Sequence, residues 1–468
     1  MSLWQVRKPA SGAIAEAGAN AEPSPSRDDQ RLMTMGDAGA FALRDSRTDL
    51  KVALHQRLLD LINLSALDKM SREQIEDEIG DIIHEELAKQ SHALNQTERK
   101  QLVGDVLDEL LGLGPLEPLL KDPTITDILV NGYNSVFVER FGLLEPTPVR
   151  FKDERHLLRI IQKIVSAVGR RVDESSPMVD ARLADGSRIN AVVPPLALDG
   201  SLLSIRKFAR VPISMERLRE IGSVPPQIAE VLRAIVAAQR NVLISGGTGS
   251  GKTTLLNAMS AYIDPRERIV TIEDSAELQL QQAHVARLET RPANIEGKGE
   301  ITQRELVKNA LRMRPDRIIV GEVRGGEAFD MLQAMNTGHE GSMTTVHANN
   351  PRDALSRVEQ MIGMSGIDIP ARSARGQISS AIHIVVQVSR LADGRRKVTS
   401  LSELTGMEGD VITMQEIFRY RQTGVGPEGE VIGRFEACGI RPRFADQVSA
   451  HGITLPGDLF RPDAKFDQ

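Results

Sequence analysis

The chain has 468 residues, a net charge of −6 and one cysteine. Its length exceeds what one compact core usually holds and predicts two or three domains. The acidic balance argues against a dedicated nucleic-acid binder, and the lone cysteine excludes an intrachain disulfide. No apolar run is long enough to span a membrane. We therefore expect a cytoplasmic protein that binds no nucleic acid and meets membranes through its partners.

The composition of the first quarter of the chain changes near residue 45. Residues 1–45 are rich in Ala, Gly, Pro and Ser without apolar periodicity, which is typical of a disordered leader. Over 46–115, apolar residues recur at helical spacing and predict a three-helix bundle. Ser71 with Gln74 and Thr97 with Lys100 mark two of the predicted helix starts.

Residues 116–215 combine strand-like and helical patterns, which is typical of a small α+β domain. "ITDILVNGYNSVFVER" predicts two strands around an Asn-Gly turn, and "HLLRIIQKIVSAVG" predicts a helix. Asp185 and Gly186 form a hairpin signal within the basic stretch that follows. Prolines then make 216–227 a candidate linker.

Strands and helices alternate over 228–468. "NVLIS", "RIVTIED", "RIIVGE" and "SMTTVH" are short and apolar, as strands buried on both faces of a parallel sheet should be. Thr302 with Glu305, Gly338, and Asn350 with Pro351 mark ends of the intervening helices. Asp393 and Gly394 predict a hairpin that opens a C-terminal subdomain. The fold class is therefore α/β.

A phosphate-binding loop follows the first of these strands. "GGTGSGKTT" fits the G-x-x-x-x-G-K-[ST] pattern between an apolar strand and an apolar-faced helix. Glycines let backbone N–H groups approach phosphate oxygens, the lysine reaches the β and γ phosphates, and the first threonine can ligate Mg²⁺. No guanine-reading signature is present, so ATP is the expected nucleotide. The predicted contacts are Gly246, Gly247, Thr248, Gly249, Ser250, Gly251, Lys252, Thr253 and Thr254.

Acidic residues follow two other strands. "TIEDSAE" places Glu273 and Glu277 after the second strand, and Gly321 with Glu322 ends the third. Because ligands bind at the carboxyl ends of parallel strands, these acids should face the phosphates. Glycine at 321 cannot ligate, so Mg²⁺ would take Thr253 and either Glu273 or Glu277, leaving Glu322 to orient or deprotonate water.

Histidines and arginines complete the candidate site. His347 ends the fourth strand and His339 precedes it, so either is a candidate sensor of the γ phosphate. Arginines crowd the small domain, and an arginine from another domain or subunit can stabilise transition-state charge. The candidates are Arg182, Arg188, Arg206 and Arg210.

These motifs together resemble the ATPases of type II and type IV secretion systems and type IV pili. The resemblance covers roughly 113–444 and is similar in most detail to the CpaF or TadA branch of tight-adherence (Flp) pili. It rests on "ITDILVNGYNSVFVER", "GGTGSGKTT", "TIEDSAEL", "RPDRIIVGEVRGGEA", "TGHEGSMTTVHANNPRDALSR" and "LTGMEGD".

The resemblance implies a small N-terminal domain joined to a RecA-like ATPase domain, in a homohexamer with nucleotide between the domains. It implies Glu277 as the acid of an acidic box, Glu322 as general base and a histidine box from His339 to His347. It also implies arginine fingers at Arg188 and Arg206, with Arg182 as a further candidate.

The leading hypothesis is a hexameric motor that hydrolyses ATP and pushes an inner-membrane platform to assemble or retract a pilus. One alternative is a RecA-like DNA translocase or helicase, which should show DNA-stimulated, salt-sensitive activity. The other is an assembly ring that binds ATP without hydrolysing it, an alternative that Gly321 keeps open.

Overall fold

The computed structural model describes residues 80, 85, 95–110, 112–183, 185–208, 212–293, 298–462 and 464–466. The predicted leader and most of the predicted bundle, including its Ser71 start, lie outside these residues. Contacts divide the chain into two compact units, Met1–Pro115 and Leu116–Gln468.

Helix α1 of the first unit spans Gln96–Leu110. Asn95 Oδ1 accepts a hydrogen bond from the Glu98 amide at 2.8 Å, and the Glu98 carboxylate accepts one from the Asn95 amide at 2.9 Å. This reciprocal cap, rather than Thr97 with Lys100, marks the helix start, so that prediction was wrong. An asparagine can cap as threonine does, and here the matching acid lies three residues after it.

The second unit begins with a six-stranded antiparallel sheet in the order β3-β2-β1-β6-β5-β4. A short helix α2, Glu117–Lys121, precedes it, and helix α3, Glu154–Ala167, connects β3 to β4. Apart from the fully exposed edge strand β3, the strands broadly alternate buried residues with more exposed ones, so one sheet face is apolar. They are β1 Ile125–Asn131, β2 Val136–Arg140, β3 Leu143–Pro146, β4 Met178–Arg182, β5 Arg188–Val192 and β6 Leu202–Arg206.

The segment predicted as a linker carries structure of its own. Helix α4, Met215–Glu220, is capped by the Ser214 side chain, and helix α5, Pro226–Ala237, follows. Leu218 and Val224 are buried in the core of the large sheet. Residues 216–227 are therefore a packed helix and turn rather than an extended connection.

A ten-stranded sheet follows in the order β16-β15-β14-β13-β12-β7-β11-β10-β8-β9. Six neighbouring strands are parallel, namely β12, β7, β11, β10, β8 and β9. Strands β13 to β16 extend the sheet beyond β12 in antiparallel fashion. They are β7 Val242–Gly246, β8 Ile269–Glu273, β9 Val285–Glu289, β10 Arg317–Val320, β11 Met343–His347, β12 Ile384–Arg390, β13 Arg396–Glu408, β14 Val411–Val425, β15 Val431–Ala437 and β16 Lys465–Phe466.

Helices cover both faces of this sheet. Alternate strand residues enter two cores: Val242 and Ile244 pack with α4, α5 and α6, while Leu243 packs with helices on the other face. This burial on both sides explains why the central parallel strands are largely apolar. The remaining helices are α6 Lys252–Ser260, α7 Gln303–Ala310, α8 Glu327–Asn336, α9 Pro351–Gly363, α10 Ala371–Ala381 and α11 Phe444–Ala450.

Several local signals read from the sequence of the second unit are confirmed. Thr302 and Glu305 form a capping box at α7, Asn350 caps α9, and Gly338 follows α8 with φ +93°. The Asp393 hairpin joins β12 to β13. The α/β class is confirmed, although β9 and the length of the antiparallel extension were not predicted. Within the described residues, no helix has the length and apolar character that crossing a membrane requires.

Candidate active site

The phosphate loop connects β7 to α6 at the carboxyl edge of the parallel strands. Gly249 and Gly251 have φ of +66° and +98°, a left-handed backbone that glycine adopts without strain. Lys252 Nζ donates to the Gly247 carbonyl oxygen at 3.1 Å, so the lysine folds back over its own loop. Burial lowers the pKa of Lys252, and the nearby Glu322 carboxylate opposes that effect. The loop thus has the shape and charge of an anion cradle.

Glu273 ends β8 and turns inward. Its Oε1 accepts hydrogen bonds from the amides of Glu277 and Leu278, both at 2.9 Å, while its Oε2 is buried and unpartnered. Burial raises the pKa of Glu273 to about 7, against the lowering effect of those two amides. Glu273 therefore shapes the acidic turn and keeps one oxygen free.

Gly321 directly follows the neighbouring strand β10 and lies beside Glu273. A Cβ built on Gly321 would approach Glu273 Cγ at 2.9 Å, closer than side chains pack. The glycine therefore makes room for the acid of the next strand.

Glu277 meets an arginine of the small sheet. Arg188 Nη1 contacts Glu277 Oε1 at 2.9 Å, and both side chains are partly exposed. Thr253, Glu273, Glu277 and Arg188 line one small cavity together with Glu322. The predicted metal ligands, base and one arginine finger thus lie around a common space within one chain.

Glu322 is bound by an arginine that the sequence analysis missed. Arg324 Nη2 and Nε contact Glu322 Oε2 at 2.6 and 3.0 Å, and Arg324 Nη1 contacts Asp274 Oδ2 at 3.3 Å. The amide of Arg324 donates to Glu327 Oε1 at 2.6 Å, which anchors the loop after β10. The only signal for this residue was its place, two residues after the expected base.

The other predicted arginines make different contacts. Arg206 Nε contacts Asp127 Oδ1 at 3.2 Å, and Arg206 lines a cleft with Thr253 and Glu277. Arg182 contacts Glu289 Oε2 at 2.6 Å and the Ala276 carbonyl at 2.9 Å, away from the phosphate loop. Arg210 lies outside the described residues. Of these three, only Arg206 is shown beside the loop.

The two histidines lie toward opposite ends of strand β11. His347 ends β11 opposite Gly246 of β7, so it belongs to the carboxyl edge with the phosphate loop. His339 precedes β11, and its Nδ1 lies 3.3 Å from the Ala334 carbonyl at the end of α8. The structure does not bring His339 to the site, because the whole length of β11 separates it from that edge.

An apolar cavity of about 460 Å³ adjoins the phosphate loop. Ser250 and Thr254 form its floor beside Leu255, and the walls come from the small sheet, the α4 turn and the β12–β13 hairpin. Such a cavity is large enough for a nucleobase and its sugar. Its other lining residues include Phe141, Leu143, Ile221, Val224, Lys397 and Val398.

A buried parallel sheet whose first strand leads through this loop into a helix, with carboxylates at neighbouring strand ends, defines a P-loop ATP hydrolase. The family model described as "Type II/IV secretion system protein" matches residues 109–426, and the chain belongs to this family.

The chain is similar to several individual proteins. A putative conjugal transfer protein of Mycobacterium tuberculosis is 43% identical over 309 residues, covering 65% of this chain and 87% of its own length. The type IV secretion system protein VirB11 of Bartonella quintana is 32% identical over 348 residues, covering 66% and 96%. The crystal structure of the VirB11 ATPase of Brucella suis is 30% identical with a TM-score of 0.34, covering 61% of this chain and 94% of that one.

Proposed function

We propose that this chain is the motor ATPase of a Flp/Tad-type pilus, working as a homohexamer on inner-membrane platform proteins from the cytoplasmic side. The observation that carries the proposal is the Arg188–Glu277 contact of 2.9 Å between the small sheet and the ATPase sheet. A site built from both sheets changes its contacts when nucleotide changes, and such a change can move one sheet against the other. The motif resemblance supplies the pilus branch.

ATP is the proposed substrate. Its phosphates would lie on the loop from Gly246 to Thr254, and its base in the adjoining apolar cavity. Lys252 would turn from the Gly247 carbonyl to the β and γ phosphates. Hydrolysis consumes one water and yields ADP and inorganic phosphate.

Mg²⁺ is the proposed metal, and the side chains present fit it. Thr253 offers a hydroxyl, and the buried, unpartnered Oε2 of Glu273 offers a hard oxygen ligand in the same cavity. Glu277 is the other predicted ligand, but its carboxylate is already bound to Arg188. Bound Mg²⁺ would neutralise charge on the β and γ phosphates. We therefore propose Glu273 rather than Glu277 for this role.

Glu322 is the proposed general base. It lies at the cavity with its carboxylate held by Arg324 and would orient or deprotonate the attacking water. Arg188 and Arg206 would stabilise charge on the transferred phosphate, and His347 would sense it. Arg182 and His339 have weaker support because their contacts lie elsewhere.

Two substitutions test the proposed catalytic roles. We expect Glu322→Gln to bind ATP within about threefold of wild type and to lose at least about a hundredfold in turnover, since it removes only the base. Lys252→Ala should lose nucleotide binding as well. Near-normal turnover by the Glu322→Gln protein would refute the assignment of the base.

The pilus assignment needs a test in cells. Cells that carry the Glu322→Gln gene should produce pilin without surface pili, while secretion of other proteins stays normal. Normal pili with blocked conjugation or protein secretion would favour the second candidate, a type IV secretion ATPase. The names of the Mycobacterium and Bartonella relatives support that candidate.

A further inference from the structure

Arg396, the first residue of β13, bridges two parts of the second unit beside the phosphate loop. Its Nε donates to the Gly249 carbonyl oxygen at 2.8 Å. Its Nη2 lies 3.6 Å from Oε1 of Glu139, which belongs to β2 of the small sheet. One guanidinium therefore contacts both the phosphate loop and the small sheet, and neither contact involves the acids and arginines discussed above.

The Gly249 carbonyl needs such a partner. A phosphate cradle points its amides toward the anion, which leaves carbonyl oxygens to be satisfied elsewhere. Gly249 and Gly251 have positive φ and no side chain to restrict them, so this stretch can reorient easily. A charge-assisted hydrogen bond from Arg396 would hold the Gly249 carbonyl in one orientation.

The strand that carries Arg396 is itself well anchored. Lys397 Nζ donates to the Gly222 carbonyl at 2.9 Å, and the Val398 amide donates to the Ser223 carbonyl at 3.0 Å. Lys397 is also buried, and its Nζ lies 5.2 Å from the centroid of the Tyr420 ring and 5.5 Å from that of the Phe435 ring. The Arg396 side chain therefore projects from a fixed support.

Glu139 also acts electrostatically on Arg206. Burial lowers the pKa of Arg206, but the carboxylate of Asp127 and, more weakly, those of Glu277 and Glu139 raise it above its usual range. Glu139 thus interacts with the arginine at the phosphate loop and with an arginine beside the proposed catalytic site.

We propose that Arg396 is a positioning residue for nucleotide binding: it fixes the Gly249 carbonyl of the phosphate loop and is itself held by Glu139 of the small sheet. Loss of Arg396 would let the loop populate conformations that do not bind phosphate. The apparent affinity then falls by the fraction of molecules still competent. The inference rests on the ATPase class and does not depend on the pilus assignment.

The test measures equilibrium ADP binding and steady-state ATP hydrolysis for the full chain. We expect Arg396→Ala to weaken ADP binding about tenfold and to raise KM similarly, with kcat within about threefold, since a charge-assisted hydrogen bond to the loop is lost. Arg434→Ala is the matched control, because it removes an arginine that contacts Glu436 at 2.8 Å on β15. The Arg434→Ala control should bind ADP with an affinity within twofold of wild type. ADP affinity within twofold of wild type for Arg396→Ala would overturn the proposal.

Conservative variants keep the test valid if Arg396→Ala folds poorly. Arg396→Lys retains charge without the guanidinium fork, and Glu139→Gln retains the shape of the carboxylate without its charge. Each should weaken ADP binding about threefold, and unchanged affinity in both would also overturn the proposal. The double variant Glu139→Gln/Arg396→Ala should match Arg396→Ala alone. If the fold-changes in ADP affinity of the two single variants multiplied in the double variant, Glu139 would not act through Arg396.

Discussion

The side chain of Glu273 fills the space that a side chain at residue 321 would need. A Cβ on Gly321 would lie 2.9 Å from Glu273 Cγ and 3.3 Å from its Oε1. Glu273 ends β8 and Gly321 directly follows its parallel neighbour β10, where Val320 pairs with Ile272. The missing acid after β10 and the inward acid at the end of β8 are therefore one arrangement, and a change at either position affects the other.

We expect Gly321→Ala to destabilise the protein by about 1–3 kcal/mol, because the added methyl group must displace a buried side chain that holds two backbone amides. ATP turnover should fall as well, since Glu273 shapes the turn that carries Glu277. Urea denaturation and steady-state hydrolysis measure the two effects.

Gly363→Ala is the control for this substitution. Gly363 ends α9, and a Cβ there would meet nothing within 4 Å. This variant should be neutral or slightly more stable, because alanine loses less entropy than glycine in a helix. Equal stability of both variants would contradict the packing account of Gly321.

The stability of the nucleotide-free protein should depend on the protonation of Glu273. Its pKa is raised from an ordinary 4.5 to about 7, so the folded state binds this proton more tightly than the unfolded state does. Stability contributed by this group is then complete below about pH 4.5 and is lost as pH rises toward 7. Glu273→Gln removes the titration.

Unfolding of the Glu273→Gln protein and of wild type at pH 5 and pH 8 tests this dependence. From pH 5 to pH 8, the free energy of unfolding of the variant should rise by on the order of 2 kcal/mol relative to that of wild type. Glu340→Gln, which alters an exposed carboxyl group, controls for the general loss of a charge. A difference between Glu273→Gln and wild type that stays constant with pH would contradict the account.

The phosphate loop and the strand ends were predictable because each depends on local signals. Glycine spacing, an apolar strand before the loop and an apolar-faced helix after it identify residues 242–260 without tertiary information. Parallel strands place their carboxyl ends on one edge, so Glu273, Glu322 and His347 followed from their positions after strands. His339 was grouped with His347 because the two are close in sequence, although they flank opposite ends of β11.

The remaining features depend on tertiary packing. Strand β9 is a partly exposed edge strand with mixed residues, so its sequence lacks the apolar run of the buried strands. The inward turn of Glu273 is decided by the amides of Glu277 and Leu278, which no residue pattern reveals. Arg396 is far in sequence from both of its partners, Gly249 and Glu139.

Arg324 should be required for turnover but not for nucleotide binding. It holds Glu322 through two nitrogen atoms and lies against Asp274, so its loss leaves the proposed base without its orienting partner. We expect Arg324→Ala to lower kcat about tenfold or more, with ADP affinity within about twofold. Arg324→Lys should recover part of kcat, because lysine keeps the charge but not the two-point contact. A kcat above wild type would instead mean that Arg324 restrains the base.

In the proposed homohexamer, mixed assemblies test whether Arg188 acts within its own chain. Its guanidinium contacts Glu277 of the same chain at 2.9 Å, so each chain should supply this arginine to its own site. We expect Arg188→Ala to lower kcat at least about a hundredfold, as loss of a group that stabilises phosphoryl charge does.

If Arg188 acts in its own chain, mixing Arg188→Ala with Lys252→Ala subunits should recover no activity, because every site lacks either its arginine or its lysine. Recovery toward a quarter of wild-type activity in an equal mixture would show that Arg188 serves a neighbouring subunit instead, since about one site in four would then combine both intact residues. Arg182→Ala mixed in the same way is the matched control, because Arg182 contacts Glu289 and the Ala276 carbonyl rather than Glu277.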